Sequence, residues 1–103
     1  MEEDQKLPPL RWVQQSAFSK DAKARDEWRT KSGTLASGKI RYVIEHRHVL
    51  VYWRIFIEGE HTTLAHGHVG TEQHAKDDIE AWRNDRLEMP IWKASQSKAS
   101  NCN

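Results

Sequence analysis

One cysteine, Cys102, stands alone in the 103-residue chain, so no intramolecular disulfide framework is available. Long hydrophobic runs are missing too. Nothing approaches the ~20 apolar residues of a membrane helix, and the opening MEEDQKLPP lacks a signal-peptide core. The 5 glycines are scattered at 33, 38, 59, 67 and 70, and they form no phosphate-cradling loop. Nor does one sign of charge dominate: 16 Lys and Arg against 15 Asp and Glu leave a formal +1. These absences point to one small, soluble, cytoplasmic domain with no membrane partner.

Tryptophan is plentiful, with 5 in a short chain, and together with the Ile and Val content it argues against a fully disordered chain. Residues 1–9 are polar and end in Pro8-Pro9, which predicts a loose arm. Residues 93–103, rich in Ser, Ala and Asn, predict a disordered tail. Between them, 10–92 is expected to form a single α+β domain.

Residues 19–31, SKDAKARDEWRTK, read as a short helix with Ser19 as N-cap and Trp28 as anchor, because Ala22, Ala24 and Arg25 are good helix formers. Ser32-Gly33 would end it and 34–39 would connect onward. Ile40, Tyr42 and Ile44 then alternate with Arg41, Val43 and Glu45, a strand period. Residues 49–57, VLVYWRIFI, give a second strand and 62–69, TTLAHGHV, a weaker third. A helix from Thr71 to about Leu87 follows from the N-cap Thr71, the spacing of Ala75, Ile79 and Trp82, and the Glu72–Lys76 pair. The expected fold is a three-stranded antiparallel β-meander between an N-terminal short helix and a C-terminal amphipathic helix, in the order α-β-β-β-α.

Alternation splits the sheet into two faces. Val49, Val51, Trp53, Ile55 and Ile57 go to the core with Ile40, Tyr42 and Ile44. For the third strand, a register with Ala65, Gly67 and Val69 inside makes room for Trp53 and Trp82. It is preferred over Leu64, His66 and His68 inside, since buried histidines need partners. The other face then carries Arg41, Val43, Tyr52, Arg54, Phe56, Leu64, His66 and His68. Such a basic-aromatic mixture suits bases and phosphates. The alternative is a face covered by the N-terminal segment, by Trp12 or Trp92, or by a second copy of the chain.

Charge is unevenly spread. Residues 11–48 hold nine basic and four acidic groups. Within them Lys20, Lys23, Arg25 and Arg29 extend the basic character. The leading expectation is a non-enzymatic binding module that meets nucleic acid through Lys20, Lys23, Arg25, Arg29, Arg41, Tyr52, Arg54, Phe56, His66 and His68. The alternative is a protein–protein adaptor or inhibitor, homodimeric or not, using the same aromatic face. Two H-x-H pairs, His46/His48 and His66/His68, invite a zinc reading but lack further ligands at recognisable spacing, so no cofactor or metal is expected. No nucleophile-elbow serine is present, Cys102 has no fixed base, and Asp77-Asp78 point apart on a helix, so no enzyme is expected.

The stretch Val51 to Trp82, VYWRIFIEGEHTTLAHGHVGTEQHAKDDIEAW, resembles the second half of double-stranded-RNA-binding domains. It is also similar to AP2-type DNA-binding domains and related integrase arm domains. The resemblance implies a helix-capped meander and a nucleic-acid partner. It departs at Thr71-Glu72-Gln73-His74-Ala75-Lys76, where only Lys76 matches the lysine cluster of the RNA-binding family. Length and Trp content also look like those of small accessory proteins of phages and mobile elements.

Overall fold

A computed structural model describes residues 7–31, 39–59 and 62–90, apart from the side chains of Arg29, Met89 and Pro90. The expectations for the start of the arm, the helix end at Ser32-Gly33, residues 34–38 of the connection, Trp92, the 93–103 tail and Cys102 lie outside these residues, and Lys39, expected to close the connection, opens a strand instead. The elements are β1 (Val13–Gln14), β2 (Ala22–Thr30), β3 (Lys39–His46), β4 (Val51–Ile57), β5 (Thr63–Val69), α1 (Glu72–Arg86) and β6 (Leu87–Pro90). All pairings are antiparallel, in the order β1-β2-β3-β4-β5, and β6 joins the end of β2.

The expected N-terminal helix is therefore replaced by a strand, five strands in line stand where a three-stranded meander is expected, and the order α-β-β-β-α does not hold. The reason lies in a period-2 pattern inside the segment. Ala22, Ala24, Trp28 and Thr30 are buried, with half-buried Asp26 between them, while Lys23, Arg25 and Glu27 alternate outward. Six of the nine residues are Ala, Lys, Arg or Glu and favour helix intrinsically, but pairing along β3, and along β6 at the end that carries the buried Trp28, satisfies the backbone. Ser19 caps no helix; its Oγ accepts from the Asp21 N–H at 2.9 Å, a local turn.

The three central strands are placed as their alternation requires. Ile40, Tyr42 and Ile44 on β3 and Val51, Trp53, Ile55 and Ile57 on β4 are buried beneath α1, together with Ala75 and Ile79. Val49 is a correction: it lies in the β3–β4 connection and is 77% exposed. The β5 register is the preferred one, with Val51 opposite Val69, Trp53 opposite Gly67 and Ile55 opposite Ala65. Between Ala65 and Thr63 the register slips, so Leu64 is the extra residue of a bulge. The bulge turns Leu64 out of the expected outer set and packs it against the core.

The end of α1 and the N-terminal segment are locked by buried charge. Arg83 is 1% exposed. Its guanidinium donates to Asp26 Oδ2 at 2.8 Å, Glu80 Oε1 at 2.7 Å and the Pro8 carbonyl at 3.2 Å. The Tyr42 hydroxyl donates to Asp26 Oδ1 at 2.8 Å. Burial pushes the Asp26 carboxyl above the usual carboxylate range, against the pull of Arg83 and Tyr42. Burial and the neighbouring Asp26 push the Tyr42 phenol far up, so it remains a donor. Leu7, Leu10 and Trp12 pack on the same core, so residues 7–9 of the expected arm lie against it. At the other end of α1, the Thr71 side chain accepts from the His74 N–H at 3.1 Å. There Glu72 pairs with Lys76 at 2.9 Å and His46 at 2.8 Å. Those two partners hold the Glu72 carboxyl below its ordinary range, with Lys76 the larger cause.

Two predictions follow from this packing. A Cβ on Gly67 would lie 2.9 Å from three atoms of the Trp53 indole. Gly67→Ala is expected to cost about 1–3 kcal/mol in urea unfolding through overpacking; an unchanged midpoint would show that the indole moves freely. Arg83→Met strands Asp26 and is expected to cost about 3 kcal/mol, whereas Arg83→Met combined with Asp26→Leu costs less because no lone charge remains. A single variant as stable as the parent would disprove the coupling.

Candidate functional site

The face of the sheet opposite α1 collects most of the expected site. Antiparallel register sets three rows across the strands. Lys23, Val43, Arg54 and His66 form one; Arg25, Arg41, Phe56 and Thr63 a second; Glu45, Tyr52 and His68 a third. Adjacent strands lie about 4.8 Å apart, so cations from β2, β3 and β4 fall within roughly 10 Å of one another. The reassignment of β2 from helix to strand is what brings Lys23 and Arg25 into line with Arg41.

Among the described residues, no element covers this face. Trp12, a candidate cover, sits instead on the α1 side, with the Lys76 ammonium 5.9 Å from its ring centroid. The core face takes Leu7 and Leu10 as well. Tyr52, Arg54 and Phe56 are half-buried by one another and by their sheet neighbours, while His66 and His68 are exposed.

The rings are clothed in cations. Arg54 lies over Phe56 at 4.3 Å, and Arg47 over Tyr52 at 4.5 Å. Tyr52 also contacts His68 at 4.8 Å and His66 at 6.2 Å between centroids. A guanidinium at this distance from a ring face is held by cation–π attraction and leaves the surface above the ring charged. Arg47 is held by Glu45 at 2.8 Å and Arg25 by Glu58 at 3.3 Å. Among the described residues, Arg11, Lys23, Arg41 and Arg54 have no carboxylate partner, and the Arg41 Nε is buried without a hydrogen-bond acceptor.

Two expected residues stand apart. Lys20 lies away from the sheet face, in a depression on the α1 side with Trp12, Gln14, Glu72 and Lys76. Arg29 continues β2, and its side chain is outside the described set. Arg11 and Arg47 belong to the face but were not in the expected set. Arg11 precedes the two-residue β1, and Arg47 follows β3, so neither falls within a strand's alternation.

The histidine pairs separate. His46 faces α1 and meets Glu72, His48 is exposed in the β3–β4 connection, and His66 and His68 flank Tyr52. Among the described residues no cluster of three or more His, Cys, Asp or Glu is placed to hold a metal ion. None of their helices is long and apolar enough to cross a membrane. No known protein family, curated protein or solved structure matches the chain.

Because the face is open, Arg54→Glu is expected to leave the fold intact. The loss of its contact with Phe56 should cost less than about 1 kcal/mol in thermal or urea unfolding. A collapse of stability would mean that Arg54 is packed structure.

Proposed function

We propose that the protein is a binding module for single-stranded nucleic acid, which lies across the open sheet face. The observation that carries this reading is the juxtaposition of Tyr52 and Phe56 with Lys23, Arg41, Arg54 and Arg11, cations that have no carboxylate partner among the described residues. Phosphates meet the cations, and bases stack on the arginine-capped rings. A duplex reader of the common kind inserts a helix into the major groove. Here α1 carries Glu72, Asp77, Asp78, Glu80 and Asp85 on the opposite side of the molecule, where it repels phosphate.

The test is a titration of the full chain against labelled single-stranded and duplex oligonucleotides at increasing salt. Two to four phosphate contacts, fewer where neighbouring cations share one phosphate, predict a slope of log affinity against log salt between about −1.4 and −3, at about 0.7 per contact for single strands. Single strands should bind more tightly than duplex, and Arg54→Glu should weaken them about tenfold or more. Absence of binding at ~50 mM salt would overturn the reading and favour a protein partner at the same Tyr- and Arg-rich face.

A further inference from the structure

At the β1 side of the open face the surface becomes concave. Arg11, Lys23, Arg25 and Arg41 converge on one depression of about 300 Å³, with Val13 as an apolar wall. Val13 stands opposite Lys23, and Arg25 opposite Arg41, so β1, β2 and β3 each contribute to it. Among the described residues only Arg25 of these four meets a carboxylate, Glu58 at 3.3 Å. Arg41 is half-buried and its Nε has no acceptor. Four cations with so little local compensation repel one another unless an anion sits between them.

We infer that this depression is a pocket for a phosphate monoester, the terminal phosphate of a nucleic-acid strand lying on the face. The inference rests on the proposed nucleic-acid reading and deepens it. An internal phosphodiester carries one negative charge and is flanked by sugar on both sides. A terminal monoester carries close to two at neutral pH and presents three free oxygens. A concave cluster of guanidinium and ammonium groups fits the second better, because planar guanidinium forks bind such oxygens in pairs. The position agrees. A strand crossing from Tyr52 through Arg54 toward β2 meets the depression where the sheet face runs out at the two-residue β1.

The experiment compares one oligonucleotide with a hydroxyl terminus, a 5′-phosphate or a 3′-phosphate, bound to the full chain at fixed salt. One of the phosphorylated strands should bind about tenfold more tightly than the hydroxyl strand, the gain of two charge-assisted hydrogen bonds. In Lys23→Gln and in Arg41→Gln that ratio should fall towards one, with circular dichroism and the unfolding midpoint confirming that each variant folds. Equal binding of all three strands overturns the pocket and leaves the face reading standing. A ratio that survives both substitutions also overturns it, since the phosphate then sits elsewhere. A second arm titrates pyrophosphate and follows backbone amides. Shifts at Val13, Lys23 and Arg41, in a protein that binds no oligonucleotide, would keep the anion pocket and reject the nucleic-acid face. Silence in both arms rejects both.

Discussion

The buried contact between Arg83 and Asp26 decides how the rest of the molecule is arranged. It joins α1 to β2, and through Tyr42 and the Pro8 carbonyl it also fixes β3 and the N-terminal segment. A guanidinium that is 1% exposed is costly to bury, and it is tolerated here because Asp26, Glu80 and the Pro8 carbonyl take up its two Nη groups, while Nε finds no acceptor among the described residues. That requirement makes the docking of α1 specific. An apolar stripe of Ala75, Ile79 and Trp82 can slide on a flat sheet, whereas a charge that needs Asp26, Glu80 and Pro8 together cannot. With α1, Leu7, Leu10 and Trp12 held on one side and Arg11 and Val13 at the β1 edge, no described element covers the second face of the sheet.

An open face that carries aromatics needs protection against sticking to other copies, and here the arginines supply it. Arg54 and Arg47 shield Phe56 and Tyr52 and keep the surface charged and hydrated. The half-burial of Tyr52 and Phe56 follows from the same arrangement, since a cation lies over each ring.

Strong alternation made β3, β4 and the core face of β5 legible, and Gly67 beside Trp53 was readable because only a missing side chain lets the indole approach. The limits of α1 were legible for a similar reason: Thr71, Glu72 and the Ala75–Ile79–Trp82 spacing are local signals. β2 was not. Its small and charged residues favour helix, and the deciding interaction is a ladder with β3 some 16 residues away in the Asp26–Tyr42 contact. Leu64 was missed because a bulge breaks alternation without a sequence mark, and Val49 because the strand starts two residues later than its apolar run. The burial of Arg83 was equally hidden, since helical spacing places a charge but not its partners. In the candidate site, Arg41, Tyr52, Arg54, Phe56, His66 and His68 follow directly from strand parity. Lys23 and Arg25 reach the face through the very strand that was misread, Lys20 falls on the other side, and Arg11 and Arg47 sit outside any periodic element.

The two sides of the molecule end up with opposite electrostatic character, although the net charge is only +1. On α1 the solvent-facing residues include Gln73, His74, Asp77 and Asp85. On the sheet, Glu45 and Glu58 are engaged by Arg47 and Arg25, while Lys23, Arg41 and Arg54 have no such partner among the described residues. Unpaired surface cations gain little from one another, so their alignment along one face gives no advantage to folding. It does shape the field outside the protein. An anion near α1 meets Asp77, Asp78 and Asp85 as well as Lys20 and Lys76, and one near the sheet is drawn toward Lys23, Arg41 and Arg54. Within about 8 Å, the screening distance at physiological salt, the pull of the near face outweighs the push of the far one. Strand parity is what sorts charge by face: in β2 Lys23, Arg25 and Glu27 leave the core on one side, while Asp26 turns inward to Arg83.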